Sequence, residues 1–207
     1  MYEIVSSETI LPLIYSSHIR EQLTRFEELR NNRVIYVSEL VSCSHKHRLR
    51  QLYPELTISF EPITVTGHLI HIGVEKYLAD NGFQTEYPVE KTFEIDNVEY
   101  VLKGRVDAYH PEKRIIVEVK SSRNARDKPL EHHVEQLQIY LNLLNVDTGI
   151  LLYITPVVFR EYRVERKEID LANLVKSTIR NEYHPRWSWE CKYCVFRKIC
   201  SYRIVEE

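Results

Sequence analysis

Neither sign of charge dominates this sequence, because 28 Lys and Arg residues are balanced by 30 Asp and Glu residues. A formal net charge of −2 excludes a protein that binds nucleic acid through an overall positive charge, so any DNA-binding surface has to be local. No run approaches the length of about 18 apolar residues that a membrane-spanning helix needs, and Met1-Tyr2-Glu3 does not begin a secretory signal. We therefore expect a cytoplasmic protein without a membrane partner.

The sequence also lacks a Gly-x-x-x-x-Gly-Lys-Ser/Thr phosphate loop, internal repeats, low-complexity stretches and flexible linkers. The missing phosphate loop excludes an ATP-driven motor within this chain. With 207 residues, of which 43% are hydrophobic, the chain is long enough to bury one substantial core. We predict a single domain over residues 1–207.

Cysteine is scarce and unevenly spaced, with Cys191, Cys194 and Cys200 close together and Cys43 far upstream. In a reducing compartment, three close thiols and one distant thiol indicate a metal site rather than disulfides. Zinc more often takes two Cys-x-x-Cys pairs, so the three-plus-one spacing favours a 4Fe-4S cluster over zinc. Such a cluster would tie the segment around Cys43 to residues 191–200 as a structural staple, without redox turnover.

A basic cluster, His45-Lys46-His47-Arg48-Leu49-Arg50, follows Cys43 on a predicted helix that Ser38 would cap. A solvated helix face and a phosphate-binding patch are both consistent with this composition. The staple would bring the cluster next to a second group of basic residues, namely Lys192, Arg197 and Lys198.

The segment 115–120, Ile-Ile-Val-Glu-Val-Lys, is an apolar strand that carries two charges. The two-residue period of a strand places Glu118 and Lys120 on one face and the β-branched Val117 and Val119 on the other. An apolar strand has no structural need for charged residues, so this face indicates a functional site.

Residues 100–109 also have the pattern of a strand, and 110–113 that of a turn, which together predict an antiparallel hairpin. If the first and last turn residues pair, Asp107 lies opposite Ile116, and Glu118 is its diagonal neighbour. Diagonal neighbours lie roughly 7–8 Å apart, close enough for two carboxylates to share one cation.

A helix predicted over residues 66–80 carries Gly67, His71 and Glu75 at intervals of four. These residues share one side of the helix, so a histidine and a carboxylate can face a common site. Taken alone, His71 is as well explained by a packed core histidine. His68 is the competing candidate on a neighbouring face.

A second helix is predicted to begin at residues 127–129 and to place Gln136 and Tyr140 one above the other. Strands are expected on either side of Pro88, over 148–155 and over 157–164, with a final helix over 169–180. This order of elements predicts an α/β fold with a mixed sheet flanked by helices.

The carboxylates of Asp107 and Glu118 are hard oxygen ligands that suit Mg²⁺ or Mn²⁺, and His71 would favour Mn²⁺ slightly. The backbone carbonyl of Val119 would complete the ligand set. Lys120 would orient or deprotonate a water, or offset the charge that develops on phosphorus. Two further side chains, Gln136 and Tyr140, would position Lys120 or the scissile strand by hydrogen bonds.

These residues resemble the RecB-like nucleases of the PD-(D/E)XK superfamily. The motifs appear in that family's order, and with the four cysteines they are similar to the CRISPR-associated exonuclease family Cas4 over residues 38–200. One departure is Val106, which stands where the superfamily's name has Pro. The four motifs are Gly67-x-x-x-His71, Gly104-x-x-Asp107, Glu118-x-Lys120 and Gln136-x-x-x-Tyr140.

The resemblance implies a restriction-endonuclease-like core and a metal-dependent DNA exonuclease that acts on single-stranded ends and carries a 4Fe-4S cluster. It also implies that His71, Asp107 and Glu118 bind the metal and that Lys120 is catalytic. Spacer acquisition in CRISPR antiviral defence would be the role, with the integrase and accessory proteins of adaptation as partners and a homo-oligomer left open.

Two other functions remain open at this point. The chain could be a non-catalytic, cluster-stapled subunit that holds or hands over DNA ends, although a structural ion site has little use for Lys120. A structure-specific endonuclease would use the same residues and differ in how its cleft admits DNA.

Overall fold

A computed structural model of the chain describes residues 7–24, 26–124 and 127–204. The N-terminal residues Met1-Tyr2-Glu3, on which the prediction of a cytoplasmic protein partly depends, lie outside these ranges. No helix in the described residues is long and apolar enough to cross a membrane.

One mixed sheet organises the described residues. Its strands are β1 (Val34–Tyr36), β2 (Gln84–Ile95), β3 (Val98–His110), β4 (Ile115–Ser121), β5 (Thr148–Ile154) and β6 (Phe159–Glu165). Strand β3 pairs antiparallel with β2 and β4 and parallel with β1, while β5 pairs parallel with β4 and antiparallel with β6. The strands predicted over 148–155 and 157–164 are confirmed as β5 and β6, and the predicted antiparallel hairpin is confirmed as β3 and β4.

The helices are α1 (Leu11–Thr24), α2 (Phe26–Leu29), α3 (Val37–Leu40), α4 (Ser44–Leu52), α5 (Pro62–Ala79), α6 (Glu131–Leu144), α7 (Leu171–Ile179) and α8 (Glu190–Tyr193), with a 3₁₀ turn over Pro54–Thr57. Helix α5 begins with a proline, and α7 begins at the capping carboxylate of Asp170. Asn145 ends α6 in the left-handed conformation. The predicted α/β fold with a mixed, helix-flanked sheet is confirmed.

Helices α5 and α6 cover the two faces of the sheet. Val74 and Leu78 of α5 pack on Ala108, Val117 and Val119. The side chains of α6 enter the larger core on the opposite face, where Leu137 and Leu141 are fully buried with Ile116 and Leu151. The parallel β4–β5 pair needs a crossover, and α6 provides it.

Three local predictions were wrong. Strand β2 runs unbroken through Pro88, because β2 pairs on one side only and an edge strand tolerates the missing N–H. Ser38 lies inside the short helix α3, and Cys43 stands at the N-cap of α4 rather than within a helix that Ser38 caps. Helix α6 begins at Glu131, after the predicted start.

The basic cluster on α4 divides into two parts. His47 and Arg50 are buried, and Arg50 binds Glu39 as well as the carbonyl oxygens of Leu29 and Val34. Arg50 therefore stabilises the fold and is not part of a basic surface. Only Arg48 of this cluster is exposed.

Gly104 lies where the sheet and α6 make their closest approach. A Cβ atom there would lie 2.6 Å from Tyr140 Cε1 and 2.8 Å from Val37 Cγ2, both on buried side chains. We expect Gly104→Ala to lower the free energy of unfolding by about 1–3 kcal/mol, measured by urea denaturation. Gly73→Ala is the matched control, since nothing lies within 4 Å of its Cβ position and a helical alanine is favoured. Equal stability of the two variants would contradict this account.

Candidate active site

The sheet forks where the predicted acidic residues lie. Strands β3 and β4 pair only from His110–Ile115 to Ala108–Val117. Beyond that point β3 continues with β2, and β4 continues with β5. The two central strands therefore separate and leave a gap between them.

Asp107 and Glu118 are the first residues past the last paired position. Extending the observed register places Asp107 opposite Glu118, so the predicted register, with Asp107 opposite Ile116, was wrong by two positions. The observed turn holds four residues between the paired His110 and Ile115, two more than predicted, and its last residue, Arg114, is left-handed (φ 52°). The two residues therefore face each other across the gap instead of forming a diagonal pair.

Both carboxylates are held in defined positions. Asp107 Oδ2 accepts a 2.6 Å hydrogen bond from the Val119 N–H, which has left the β3–β4 ladder. Glu118 is buried, and its Oε1 accepts hydrogen bonds from Lys120 Nζ at 2.7 Å and from Gln136 Nε2 at 2.8 Å. Its Oε2 is buried without a hydrogen-bond partner among the described residues. This unsatisfied oxygen is suited to a cation.

Lys120 is positioned from two sides. Its ammonium group also donates to Gln136 Oε1 at 3.0 Å, so α6 fixes the side chain over the fork. Tyr140 is buried one turn further along α6 and donates to the carbonyl oxygen of Arg105 at 3.1 Å. Burial raises the Tyr140 pKa strongly, so this hydroxyl stays neutral.

Helix α5 brings His71 to the fork. His71 Nδ1 lies 3.5 Å from Asp107 Oδ1 and 3.9 Å from Glu75 Oε1. The donor atoms of these three residues all lie within 4.8 Å of one another. His68 instead lies 3.2 Å from Glu21 and away from Asp107. A Cβ at Gly67 would lie 3.0 Å from Ser121 Oγ, which shows how closely α5 approaches β4.

Two carboxylates that were not predicted as ligands lie here: Glu75 belongs to this donor group, and Glu86 lines the same cavity. The i, i+4 spacing from His71 had placed Glu75 on the correct side of the helix, but nothing in the sequence pointed to Glu86. Glu86 lies opposite Asp107 in the β2–β3 register and has a left-handed backbone (φ 52°). Its side chain forms an ion pair with Arg105.

The concentration of negative charge affects the ionisation of the site. Burial, opposed by the charge of Lys120, raises the pKa of Glu118 to about 7. Burial and the nearby Glu86 and Asp107 likewise raise the pKa of Glu75 to about 7. Burial disfavours the imidazolium of His71, but the hydrogen bond and charge of Asp107 outweigh it and raise that pKa.

The raised Glu75 pKa predicts how stability depends on pH in chelator-treated protein. Between the ordinary value of 4.5 and about 7, the folded state binds more protons than the unfolded state, so stability falls as pH rises through this window. We expect Glu75→Gln to remove part of this fall when melting temperatures at about pH 5 and about pH 8 are compared. The exposed pair Lys76–Asp80 offers a control, Asp80→Asn, which should keep the full pH dependence. An identical pH profile for Glu75→Gln and wild type would contradict the prediction.

The four cysteines form a separate site near the C-terminus. Cys43, Cys191, Cys194 and Cys200 are free thiols that line one small cavity. Burial raises the pKa of Cys43 to about 11, and burial also raises that of Cys194. Cys43 and Cys194 are therefore protonated at neutral pH and would release protons on binding a metal.

A buried glutamate organises this cavity. Glu190 accepts hydrogen bonds from the backbone N–H groups of Cys43 at 2.8 Å, Arg186 at 2.9 Å and Trp187 at 3.0 Å. The Trp187 indole N–H also donates to the carbonyl oxygen of Val41 at 2.8 Å. These bonds join the segment before α4 to the C-terminal region, and the cluster that was predicted to join the same two segments stays a prediction.

The forked sheet with its acidic gap has counterparts among known proteins. Residues 77–201 match the sequence model of the PD-(D/E)XK nuclease superfamily. The CRISPR-associated exonuclease Cas4 of Saccharolobus solfataricus is 39% identical over 197 residues, which cover 91% of this chain and 92% of that protein.

Solved structures agree with these sequence matches. The crystal structure of SSO0001 matches with a TM-score of 0.88 at 35% identity, covering 96% of this chain and 99% of the other. An alkaline exonuclease from Laribacter hongkongensis has a TM-score of 0.53 at 11% identity, covering 81% and 90%, and so shares the fold.

Fold and site together define a nuclease of the PD-(D/E)XK superfamily, a class of enzymes that use divalent metal ions. The chain belongs to the Cas4 family of CRISPR-associated exonucleases. The predicted PD-(D/E)XK core is thereby confirmed.

Proposed function

We propose that this nuclease is a Mg²⁺- or Mn²⁺-dependent exodeoxyribonuclease that hydrolyses phosphodiester bonds at single-stranded DNA ends. The observation that carries the proposal is the fork in the sheet, where Asp107, Glu118 and Lys120 converge and one buried carboxylate oxygen has no hydrogen-bond partner in the part of the chain that the structure describes.

The donor set fits a hard divalent cation. Asp107 would hold it with His71 and Glu75, whose donor atoms lie within 4.8 Å of one another. Glu118 remains a predicted ligand through its Oε2, which has no hydrogen-bond partner among the described residues. The Val119 group that contacts Asp107 is its backbone N–H and not its carbonyl oxygen. The carbonyl oxygen therefore remains a predicted ligand. When bound, the cation supplies charge neutralisation at a phosphate oxygen and a lowered pKa for a water.

The protein's own residues would act around that ion. Lys120 carries its positive charge beside Glu118 in a largely buried position, so it can stabilise negative charge that develops on the phosphate. Gln136 bonds both Lys120 and Glu118 and therefore keeps the two at a fixed separation. Tyr140, through its bond to the Arg105 carbonyl, fixes β3 against α6 and acts as a positioning residue.

The shape around the fork favours a single strand over a duplex. One cavity, beneath α1 and α5, is lined by His18, His71 and Glu75, and another lies between α3 and α6. Both cavities reach Arg105 and Asp107. A strand that reaches Asp107 through either cavity would pass beside α1 and α5 or between α3 and α6, which supports a free single-stranded end as the substrate.

The cysteine cavity fits an iron–sulfur cluster. Among the described residues, His71, Glu75 and Asp107 form a group whose donor atoms all lie within 4.8 Å of one another. The four thiols do not form such a group, so their sulfur atoms are more widely spaced. A tetrahedral zinc ion with Zn–S bonds of about 2.3 Å would draw its sulfurs closer than that. We therefore favour a structural 4Fe-4S cluster over zinc at Cys43, Cys191, Cys194 and Cys200.

The cellular role that we propose is spacer acquisition in CRISPR antiviral defence, in the cytoplasm, with the integrase and accessory adaptation proteins as partners. The name and extent of the Saccharolobus relative support it. Copurification of the tagged chain with the integrase, from cells that express both, would test it, and sedimentation of the chain alone would test self-association.

The nuclease proposal is tested by incubating end-labelled linear and circular single-stranded DNA with Mn²⁺, Mg²⁺ or chelator. We expect metal-dependent shortening of the linear strand and an intact circle. Cleavage of the circle would favour an endonuclease instead. Binding without cleavage under either metal would favour a non-catalytic subunit that holds DNA ends.

A further inference from the structure

An aromatic cluster lies next to the active site on the side of the cysteine cavity. The ring centroid of His132 lies 4.9 Å from that of Trp189, 6.0 Å from Trp187 and 4.2 Å from His133. These rings come from the start of α6 and from the segment before α8, so two distant parts of the chain build the cluster.

The two tryptophans of this cluster have different roles. Trp187 is half-buried and uses its indole N–H to bind the Val41 carbonyl, so it stabilises the fold. The side chain of Trp189 is 41% exposed, and its indole N–H makes no hydrogen bond within the described ranges. The Trp189 ring is tilted by 48° against the His132 ring and is partly exposed to solvent.

The position of this ring links it to catalysis. His132 and Gln136 are four residues apart on α6 and so lie one above the other, about 5–6 Å apart. Gln136 in turn binds Glu118 and Lys120. Trp189 therefore packs on α6 one helical turn before the residue that binds Glu118 and Lys120.

The charges around the cluster are compatible with DNA. Of the two carboxylates of α6 near His132, Glu135 is neutralised by Arg186 at 2.6 Å, and Glu131 is exposed at the start of the helix. Lys192, three residues after Trp189, is exposed, as are Arg197 and Lys198. An aromatic ring beside basic side chains is the combination that binds unpaired nucleotides, because the ring stacks on a base and the cations contact phosphates.

We propose that Trp189, supported by His132, is a stacking platform for a base of the single-stranded DNA next to the catalytic carboxylates. The inference extends the proposed function, on which it rests, by assigning a contact that only an unpaired base can make. Trp189 lies two residues before Cys191, and Glu190 between them is anchored to three backbone N–H groups. The cysteine region therefore also sets the position of the platform.

Equilibrium binding of fluorescent oligo(dT) and of a duplex tests this assignment, using the full chain with Lys120→Ala to prevent cleavage. We expect Trp189→Leu, which keeps apolar bulk but removes the ring, to weaken oligo(dT) binding about tenfold and to leave duplex binding unchanged. Trp189→Phe should retain most of the affinity. Tyr193→Ala is the matched control, because Tyr193 is a 72% exposed aromatic of the same segment whose ring contact is with Lys192.

Two results would overturn the platform. Oligo(dT) affinity that is unchanged in Trp189→Leu would do so, as would equal losses for single strand and duplex, because stacking requires an unpaired base. Melting temperatures of the variants show any general loss of structure. Trp189→Phe gives a further comparison, because a variant that keeps an aromatic ring should keep most of the oligo(dT) affinity. The binding assay does not depend on cleavage, so failure of the nuclease proposal would be seen separately in the linear and circular DNA assay.

Discussion

Lys120→Ala is expected to lower the rate of DNA cleavage by about 10³-fold, the largest effect of any single substitution that we predict. The Lys120 ammonium group is the cation that contacts Glu118 directly, at 2.7 Å, and its side chain is only 16% exposed. Removing it takes away a positive charge where the dielectric is low and charge interactions are strong. Neither Gln136 nor Tyr140 can replace that charge.

The measurement is the initial rate of shortening of end-labelled single-stranded DNA in Mn²⁺. Lys113→Ala is the matched control, because Lys113 is an exposed lysine in the turn of the same hairpin. It should cleave at the wild-type rate. A Lys120→Ala protein that is folded, by its melting temperature, and still cleaves normally would refute the proposed active site.

Cys43→Ser is expected to have the largest effect on stability. Cys43 is the one cysteine outside the C-terminal group, so a cluster bound to it closes a loop of most of the chain. A crosslink over a loop of that size contributes about 4–5 kcal/mol through the entropy of the unfolded state. Cys194→Ser should act in the same direction and should also weaken DNA binding.

Iron content, visible absorbance and urea denaturation of these variants check the prediction. Ser201→Ala, next to Cys200 and exposed, is a control that should keep the iron and the stability of wild type. If the purified protein contains zinc and no iron, the predicted 4Fe-4S cluster is wrong and the site is a zinc site. Unchanged iron, stability and DNA binding in both cysteine variants would contradict the staple itself.

The predictions that succeeded depended on regular spacing. Alternation along 115–120 put Glu118 and Lys120 on one face, and they are hydrogen-bonded to each other in the structure. Helical spacing likewise brought Gln136 over that face and turned His71 towards Asp107. Such patterns are local, so a single sequence reveals them without knowledge of the tertiary fold.

The failures have a different physical origin. The left-handed residues Arg114 and Glu86 are neither glycine nor asparagine, so nothing in the sequence marks the turn length or the orientation of Glu86. The fork between β3 and β4 depends on long-range strand pairing, namely that of β3 with β2 and that of β4 with β5. Pro88 was wrongly expected to interrupt a strand. It is tolerated because β2 lies at an edge of the sheet, and the position of a strand within the sheet is not visible in the segment's own sequence.

The three backbone hydrogen bonds of Glu190 have a consequence for how the protein matures. Because this buried carboxylate already holds Cys43 next to the C-terminal segment, the thiols are gathered by the polypeptide itself. Cluster insertion would then be a late event on a folded acceptor, and not the step that nucleates folding. Metal-free protein should therefore be recoverable in folded form and able to accept iron and sulfide afterwards.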